Sequence, residues 1–378
     1  MAKFLIIGLP KGANRYTDTM SCFKSSEQHQ YISISIFPHF IQRYIFRTRL
    51  SLLFYLFCLP FVDSVFYLAM NTDFLFLLRL AQLLDKRVFV DFFSSRYMIA
   101  TSDSKINAKV LPSSLSSKYL RSDRVRLSTA SDLITLTLYE YDQFYKWAGI
   151  KTPVQQKSHV LPIVIQRSDT QLIPPSRKFS NPSDPFNICW WGYASKLHGL
   201  DYLIDEFAVF LTHKPNAYFH LFDPSKSRTD FFKSAFLSSL PHHVKEHICI
   251  NNDLTMKNGL RDWLIHNCHA SVGPLGFTDQ GMSSIANKLI ECWSLKLPVL
   301  TQRSIPLRDL SRDHLAFFVD EKNPGNVLDQ LSTIYSLYIN NSHQLDYFTN
   351  LSYQYYLENH SPEEFNRRLT SILSSNAL

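Results

Sequence analysis

Short apolar runs alternate with longer amphipathic segments along this chain, and they do so twice. In the first series "KFLIIG", "QYISISIF", "DSVFYLAM", "RVFVDFF" and "HVLPIVI" have the length and apolar continuity of buried strands. Between them "DFLFLLRLAQLLDK" and the second half of "SDLITLTLYEYDQFYKWAGI" have helical character, the latter stopping at Gly149. Residues 166–185, "QRSDTQLIPPSRKFSNPSDP", carry four prolines and no periodicity, and read as a linker. A second series follows: strands in "FNICWWG", "AYFHLFD", "HHVKEHICIN", "ASVGPLG" and "LPVLTQ", and helices in "LDYLIDEFAVFLTHKP", "LRDWLIHNC", "ANKLIECWSLK", "NVLDQLSTIYSLYI" and "PEEFNRRLTSIL". In the first of these helices Leu200, Leu203, Ile204, Phe207 and Leu211 share one face. Strands alternating with helices predict parallel sheets covered on both faces, hence an α/β class with two doubly wound domains. The predicted boundaries are 1–168, a linker at 169–184, 185–345, and terminal helices at 346–378.

Charge is uneven. The chain carries +7 overall, but residues 1–170 hold 21 Lys and Arg against 12 Asp and Glu, and the remainder is slightly negative. A basic first half suits an anionic partner such as a phosphate or a membrane surface. The basic residues form no nucleic-acid reader module, so no nucleic-acid partner is expected. Six cysteines without a C-x-x-C spacing read as free buried thiols, and no Cys/His spacing marks a metal. "MAKFLIIGLP" reads as a first strand running into a turn rather than as a leader. "LSLLFYLFCLPFVDSVFYLAM" is the most membrane-like segment, but Pro60 and Asp63 divide it into pieces too short to span. In "FIQRYIFRTRLSLLFYLF", Arg43, Arg47 and Arg49 alternate with apolar residues. Residues 40–58 therefore predict either a peripheral membrane contact or an ordinary helix packed on the first sheet.

Glycine is scarce, with ten in 378 residues, and seven of them fall at three strand-to-helix junctions. These are Gly8 and Gly12; Gly192 and Gly199; and Gly273, Gly276 and Gly281. Ligands of open α/β sheets bind at such junctions. Glycine there serves either close backbone approach to a ligand or plain turn geometry. In "WWGYASKLHGLDYLIDEF" a strand ends at Gly192, and a helix begins after Gly199. Its free N–H groups suit a phosphate, with Lys196 and His198 beside them. The spacing is neither G-x-G-x-x-G nor G-x-x-x-x-G-K-[ST]. Further on, "NKLIE" puts Lys288 and Glu291 on one helical face, as a diphosphate and ribose pair or as a surface ion pair.

Two stretches carry a family resemblance. "WWGYASKLHGLDYLIDEF" resembles the G-x(5)-[KH]-G loop, and "SVGPLGFTDQGMSSIANKLIECWSLKLPVLT" the N-K-h-h-E…P-V-h-T segment, of family 4 (group 1) GT-B glycosyltransferases. "DRVRLSTASDLITLTLYEYDQFYKWAGI" is similar, more loosely, to the segment that precedes the linker in that family. The resemblance covers most of residues 60–335. It implies two Rossmann-like domains facing each other across a cleft. It also implies sugar transfer, of a hexosyl type, from a nucleotide-sugar to a glycan or lipid-linked hydroxyl. The implied setting is surface polysaccharide synthesis on the cytoplasmic side, with no cofactor and no metal, since D-x-D is absent. The implied donor residues are Gly192, Lys196, His198, Gly199, Asn287, Lys288 and Glu291. In the first domain Gly8, Gly12, Asn14 and Arg15 would shape the cleft loop. Asp91, at a strand end, or Asp103 would be the catalytic carboxylate; alternatively Asp91 pairs with Arg87 or Arg96. Tyr193 stands where many members have Arg. Ser283 replaces the first Glu of E-x(7)-E, Lys296 replaces a common Gly, and Gln280 stands near the place of a loop Lys. These differences motivate two alternatives, a non-catalytic nucleotide- or glycan-binding subunit and an epimerase of the same fold.

Overall fold

The structure, a computed structural model, describes residues 2–8, 14–26, 29–33, 50–69, 74–101, 113–165, 184–192, 196–222, 237–238, 240–256, 258–310 and 312–375. The chain forms two compact units. One comprises 1–101, 110–164 and 362–378, and the other 102–109 and 165–361. The predicted linker lies almost wholly outside the described residues.

The first unit is built on six parallel strands: β1 (Ala2–Ile7), β2 (His29–Ser33), β3 (Ser64–Leu68), β4 (Arg87–Asp91), β5 (Asp132–Thr135) and β6 (Lys157–Val160). Their order is β2-β1-β3-β4-β5-β6. Successive side chains point to opposite faces, and both faces are covered, so the strands are apolar throughout. Leu5, Ile7, Val65, Tyr67, Val88, Val90 and Leu133 pack on one face with Tyr55, Leu77, Leu78, Ala81, Phe144 and Tyr145 from three helices. Phe4, Ile6, Phe66, Phe89 and Ile134 pack on the other, against Tyr16, Met20 and Phe23 of the Asn14–Ser25 helix. The Pro362–Ser374 helix completes this layer with Phe365, Leu369, Ile372 and Leu373. A proline at its head costs nothing, because the first N–H of a helix has no partner to lose. The Leu138–Ala148 helix is fixed at both ends. Thr137 Oγ1 accepts from Glu140 N–H at 3.1 Å, and Gly149 closes it at φ +62°.

The Leu50–Cys58 helix buries Tyr55 and Cys58 in this core and exposes Leu50, Leu53 and Phe57. Residues 40–49 of the predicted membrane contact lie outside the described residues. Among the described residues no helix is long and apolar enough to cross a membrane.

The second unit holds β7 (Phe186–Trp191), β8 (Ala217–Phe222), β9 (Ile248–Asn251), β10 (Ala270–Val272), β11 (Val299–Gln302) and β12 (Phe317–Val319). All pair in parallel, in the order β12-β11-β10-β7-β8-β9. That is the doubly wound order, with the direction of winding reversing between β7 and β10. Leu200, Leu203, Ile204, Phe207 and Leu211 are all buried against Phe186, Ile188 and Trp190, as their spacing requires. Two such α/β units confirm the fold class expected from the sequence.

Candidate functional site

The reversal point of the second sheet places the carboxyl ends of β7 and β10 side by side, where a ligand crevice forms in open α/β sheets. β7 ends in Trp190 and Trp191, followed by Gly192 at φ +114°, where a Cβ would meet nothing within 4 Å. Residues 193–195, Tyr193 among them, lie outside the described residues. The chain returns in a turn of 3-10 helix, Lys196–His198, and the Leu200–His213 helix starts from Gly199 at φ +58°. Gly199 is there for packing: a Cβ would lie 2.5 Å from the carbonyl oxygen of Leu275. The loops after β7 and β10 are joined by two backbone bonds, Leu275 N–H to His198 O at 3.2 Å and Gly276 N–H to Leu197 O at 3.0 Å. Gln302 Oε1, from the end of β11, accepts from Phe277 N–H at 2.6 Å and ties in the third strand. Of the glycine pair, then, Gly192 borders open space and Gly199 permits loop-on-loop contact.

The Asn287–Ser294 helix brings the two charged candidates to this place. Asn287 heads the helix and is exposed. Lys288 is not a surface residue: only 6% of it is exposed. Its Nζ lies 3.9 Å from the ring centroid of Trp190 and 5.7 Å from that of Trp191, with no hydrogen-bond partner among the described residues. Burial pushes its pKa down to about 7, against the opposing influence of Cys292 and Glu291. His198 sits edge-on to Trp190 at 5.3 Å, its Nδ1 enclosed and also without a partner among the described residues. Burial, and then the Lys288 charge, hold its pKa well below the usual histidine value, so it is neutral. Glu291 is half-buried, and its Oε2 accepts from Trp191 Nε1 at 2.7 Å. Burial raises its pKa; the Trp191 hydrogen bond, Lys288 and Arg261 act against that rise. The Lys196 side chain is outside what the structure describes.

A buried ammonium without hydrogen-bond acceptors is costly, and an indole face offsets only part of that cost. Gln280 Oε1, Gln302 Nε2 and Ser304 Oγ are likewise enclosed and without partners among the described residues. Gln280 follows β10, Gln302 is the last residue of β11, and Ser304 follows it. This end of the second unit holds a lysine amine and polar groups without partners among the described residues.

The candidates of the first unit behave otherwise. Gly8 packs against Leu68, whose Cδ1 would lie 2.7 Å from an added Cβ. Gly12 and Asp103 lie outside the described residues, as does the side chain of Asn14. Arg15, expected at a cleft, is buried. It donates to Asp91 Oδ2 (Nε, 2.7 Å), Asp91 Oδ1 (Nη2, 3.1 Å), the Leu161 carbonyl (Nη2, 2.9 Å) and the Pro162 carbonyl (Nη1, 2.8 Å). Phe365 lies 5.0 Å from its guanidinium. Asp91 is 0% exposed and held on both oxygens. It pairs with Arg15, not with Arg87, which binds Asp132. A base has to reach an acceptor hydroxyl, and among the described residues the hydrogen bonds to the Asp91 carboxylate come from Arg15. The strand-end carboxylate is structural here. Reading strand ends alone missed Arg15 as its partner, because 76 residues separate the two.

Two further groups escaped the sequence reading. Trp190 and Trp191 supply the walls and one donor of the second-unit site; two adjacent tryptophans at a strand end were the signal. Glu140, in the first turn of the Leu138–Ala148 helix that follows β5, is 4% exposed, accepts from Leu136 N–H at 3.1 Å, and is pushed up to about 8 by burial. T-x-x-E at Thr137–Glu140 marked it as a capping residue.

No protein-family model and no curated protein matches the sequence. Solved structures do match in fold. HepE of Anabaena, solved with UDP-glucose, superposes with a TM-score of 0.61 at 13% identity, covering 99% of this chain and 100% of that one. Sucrose-phosphate synthase of Thermosynechococcus elongatus gives 0.64 at 8% identity, covering 99% of each chain. A glycosyltransferase of Rickettsia africae gives 0.63 at 12% identity, covering 99% and 97%. At these identities the likeness establishes the fold, which is that of GT-B glycosyltransferases.

Proposed function

We propose that this protein is a glycosyltransferase that takes a sugar, of hexosyl type, from a nucleotide-sugar. The observation that carries the proposal is Lys288, a buried lysine whose Nζ has no hydrogen-bond partner among the described residues, at the reversal point of the second sheet. In the reaction the bond between the sugar's anomeric carbon and the diphosphate oxygen breaks, and the electron pair leaves with the nucleoside diphosphate. A bond forms from the anomeric carbon to an acceptor hydroxyl oxygen, and the hydroxyl proton is released. Lys288 faces the charge that develops on the departing diphosphate, where a fixed cation in a dry site acts most strongly. The N–H groups at Gly199–Leu200 and the Lys196 ammonium add to that neutralisation, and we propose that no metal or other cofactor is needed. Glu291 accepts from the ribose hydroxyls. HepE, of the same fold, has been solved with UDP and with UDP-glucose, which supports a uridine nucleotide as the first probe.

We place the acceptor among glycan or lipid-linked hydroxyls of surface polysaccharide synthesis, on the cytoplasmic side. The exposed Leu50, Leu53 and Phe57 of one first-unit helix and the arginines before it support contact with an anionic membrane face. Co-sedimentation with anionic vesicles tests this: Leu53→Glu/Phe57→Glu should release the protein, and equal binding would contradict it. The domain limits are proposed as 1–168, 185–345 and 346–378. A panel of nucleotide-sugars with metal chelated tests the activity itself. Donor hydrolysis or transfer that Lys288→Met abolishes is expected; no turnover and no nucleotide binding would overturn the reading. The enclosure of Asp91 favours one second reading, a nucleotide-binding subunit without its own base. Tight nucleotide binding with no turnover of any donor would select it.

A further inference from the structure

Among the described residues of the second-unit site, one side chain has its polar atom engaged on a candidate ligand-binding group. The Trp191 indole is 4% exposed, and its single donor, Nε1–H, is spent on Glu291 Oε2 at 2.7 Å. The two residues stand 100 positions apart, on the last position of β7 and one turn into the Asn287–Ser294 helix. An indole has one donor and no acceptor, so this contact fixes which carboxylate oxygen faces inward. Glu291 is half-buried, and its other oxygen takes part in no hydrogen bond among the described residues. The same hydrogen bond favours the ionised form of a carboxyl that burial would neutralise. Lys288 and Arg261 both act on Glu291 through their charge, but Lys288, three residues away on the same helix, rests on the Trp190 face instead of bonding to Glu291.

We infer that Trp191 is a positioning residue for ribose recognition: its Nε1–H holds Glu291 in the orientation that accepts from the sugar hydroxyls of a nucleoside diphosphate. This rests on the nucleotide reading above. Trp191 does not touch the nucleotide through this donor; it acts through Glu291. Its loss is therefore felt only by ligands that carry the hydroxyls.

The test compares two ligands on four proteins by calorimetric titration. The ligands are the nucleoside diphosphate that binds tightest in a panel beginning with UDP, and its 2′,3′-dideoxy analogue. The proteins are wild type, Trp191→Phe, Glu291→Ala and the double variant. In the wild type the hydroxyls should be worth about tenfold in affinity, the scale of a hydrogen bond to a charged group. Trp191→Phe should cut that ratio to about threefold or less and leave the dideoxy affinity within twofold. Glu291→Ala should bring the ratio to about one, and the double variant should lose nothing more, since both act on one contact. If Trp191→Phe weakens both ligands equally and keeps the ratio, Trp191 only packs, and the inference is overturned. If the wild type binds the diphosphate but ignores the hydroxyls, the inference falls while the nucleotide site stands. If no nucleoside diphosphate binds, the nucleotide reading itself falls. Should Trp191→Phe not fold, the wild-type indole resonance of Trp191 decides. The hydroxyl-bearing ligand should move it more than the dideoxy analogue, and equal movement overturns the inference.

Discussion

The two units close their sheets in opposite ways. In the first, the buried ionisable groups near the carboxyl ends of the strands find partners within the unit. Arg15 makes four hydrogen bonds, two to Asp91 and two to main-chain carbonyls, and Glu140 caps its own helix entry. In the second, Lys288 and His198 are enclosed around Trp190 with polar atoms unused among the described residues. Buried charge that is paired holds a fold together, and buried charge left unpaired reduces stability until a ligand arrives. The contrast separates structural from ligand-binding polarity without appeal to residue type, since both places contain a cation beside a carboxylate and an aromatic ring.

The contrast can be broken at either end. The largest effect is expected from Asp91→Ala, which strands a buried guanidinium and should cost about 3–5 kcal/mol in chemical denaturation. In protein that remains folded, nucleotide affinity should stay within twofold of wild type. Next comes Lys288→Met. It should weaken nucleoside diphosphate binding by about a hundredfold, within the range for a charge-assisted contact, while raising the melting temperature of the unliganded protein. A fall in that temperature would place Lys288 with Arg15 as structural. Smaller again is a pH effect of definite sign. The folded pKa of Lys288, about 7, lies below the ordinary lysine value of 10.5. From about pH 7 to 10.5 the unfolded chain therefore holds a proton that the folded chain lacks, and unliganded stability should rise with pH across that window. Lys288→Met should remove the Lys288 share of that rise, as read from melting temperatures across pH. The smallest effect concerns Lys296, which holds φ +51° where the resembling family often has glycine. Lys296→Gly should stabilise by about 0.5 kcal/mol, relief of left-handed strain exceeding the added chain entropy; a loss would show that the Lys296 contact with Tyr353, at 4.8 Å from Nζ, matters more.

Much of the fold was legible because the strands are covered on both faces and read as uninterrupted apolar runs. The Leu200–His213 helix was legible down to its buried face. Elements with sparse apolar residues were not. The Asn14–Ser25 helix is not among the predicted elements, and Asn14 and Arg15 were expected in a loop, although Tyr16, Met20 and Phe23 recur at helical spacing. The polar Ser113–Thr129 helix and the three-residue β12 gave too little periodicity to register. At the site, residue types and spacing brought Lys288 and Glu291 forward but not their burial, which depends on Trp190 and Trp191 about a hundred residues earlier. Asp91 shows the converse. Its place at a strand end was legible, and its partner was not, because pairing across the sheet is set by topology and leaves no local trace.

The central claim is that the buried Lys288 amine, without a partner among the described residues, is charged by and binds a diphosphate. The direct measurement is calorimetric titration of nucleoside diphosphates into the wild type and Lys288→Met at about pH 8, in buffers of differing ionisation enthalpy. The account predicts binding with net proton uptake in the wild type, because the diphosphate draws Lys288 into its charged form, and loss of both in Lys288→Met. Absence of nucleoside diphosphate binding, or equal binding and equal proton uptake by the two proteins, would contradict it.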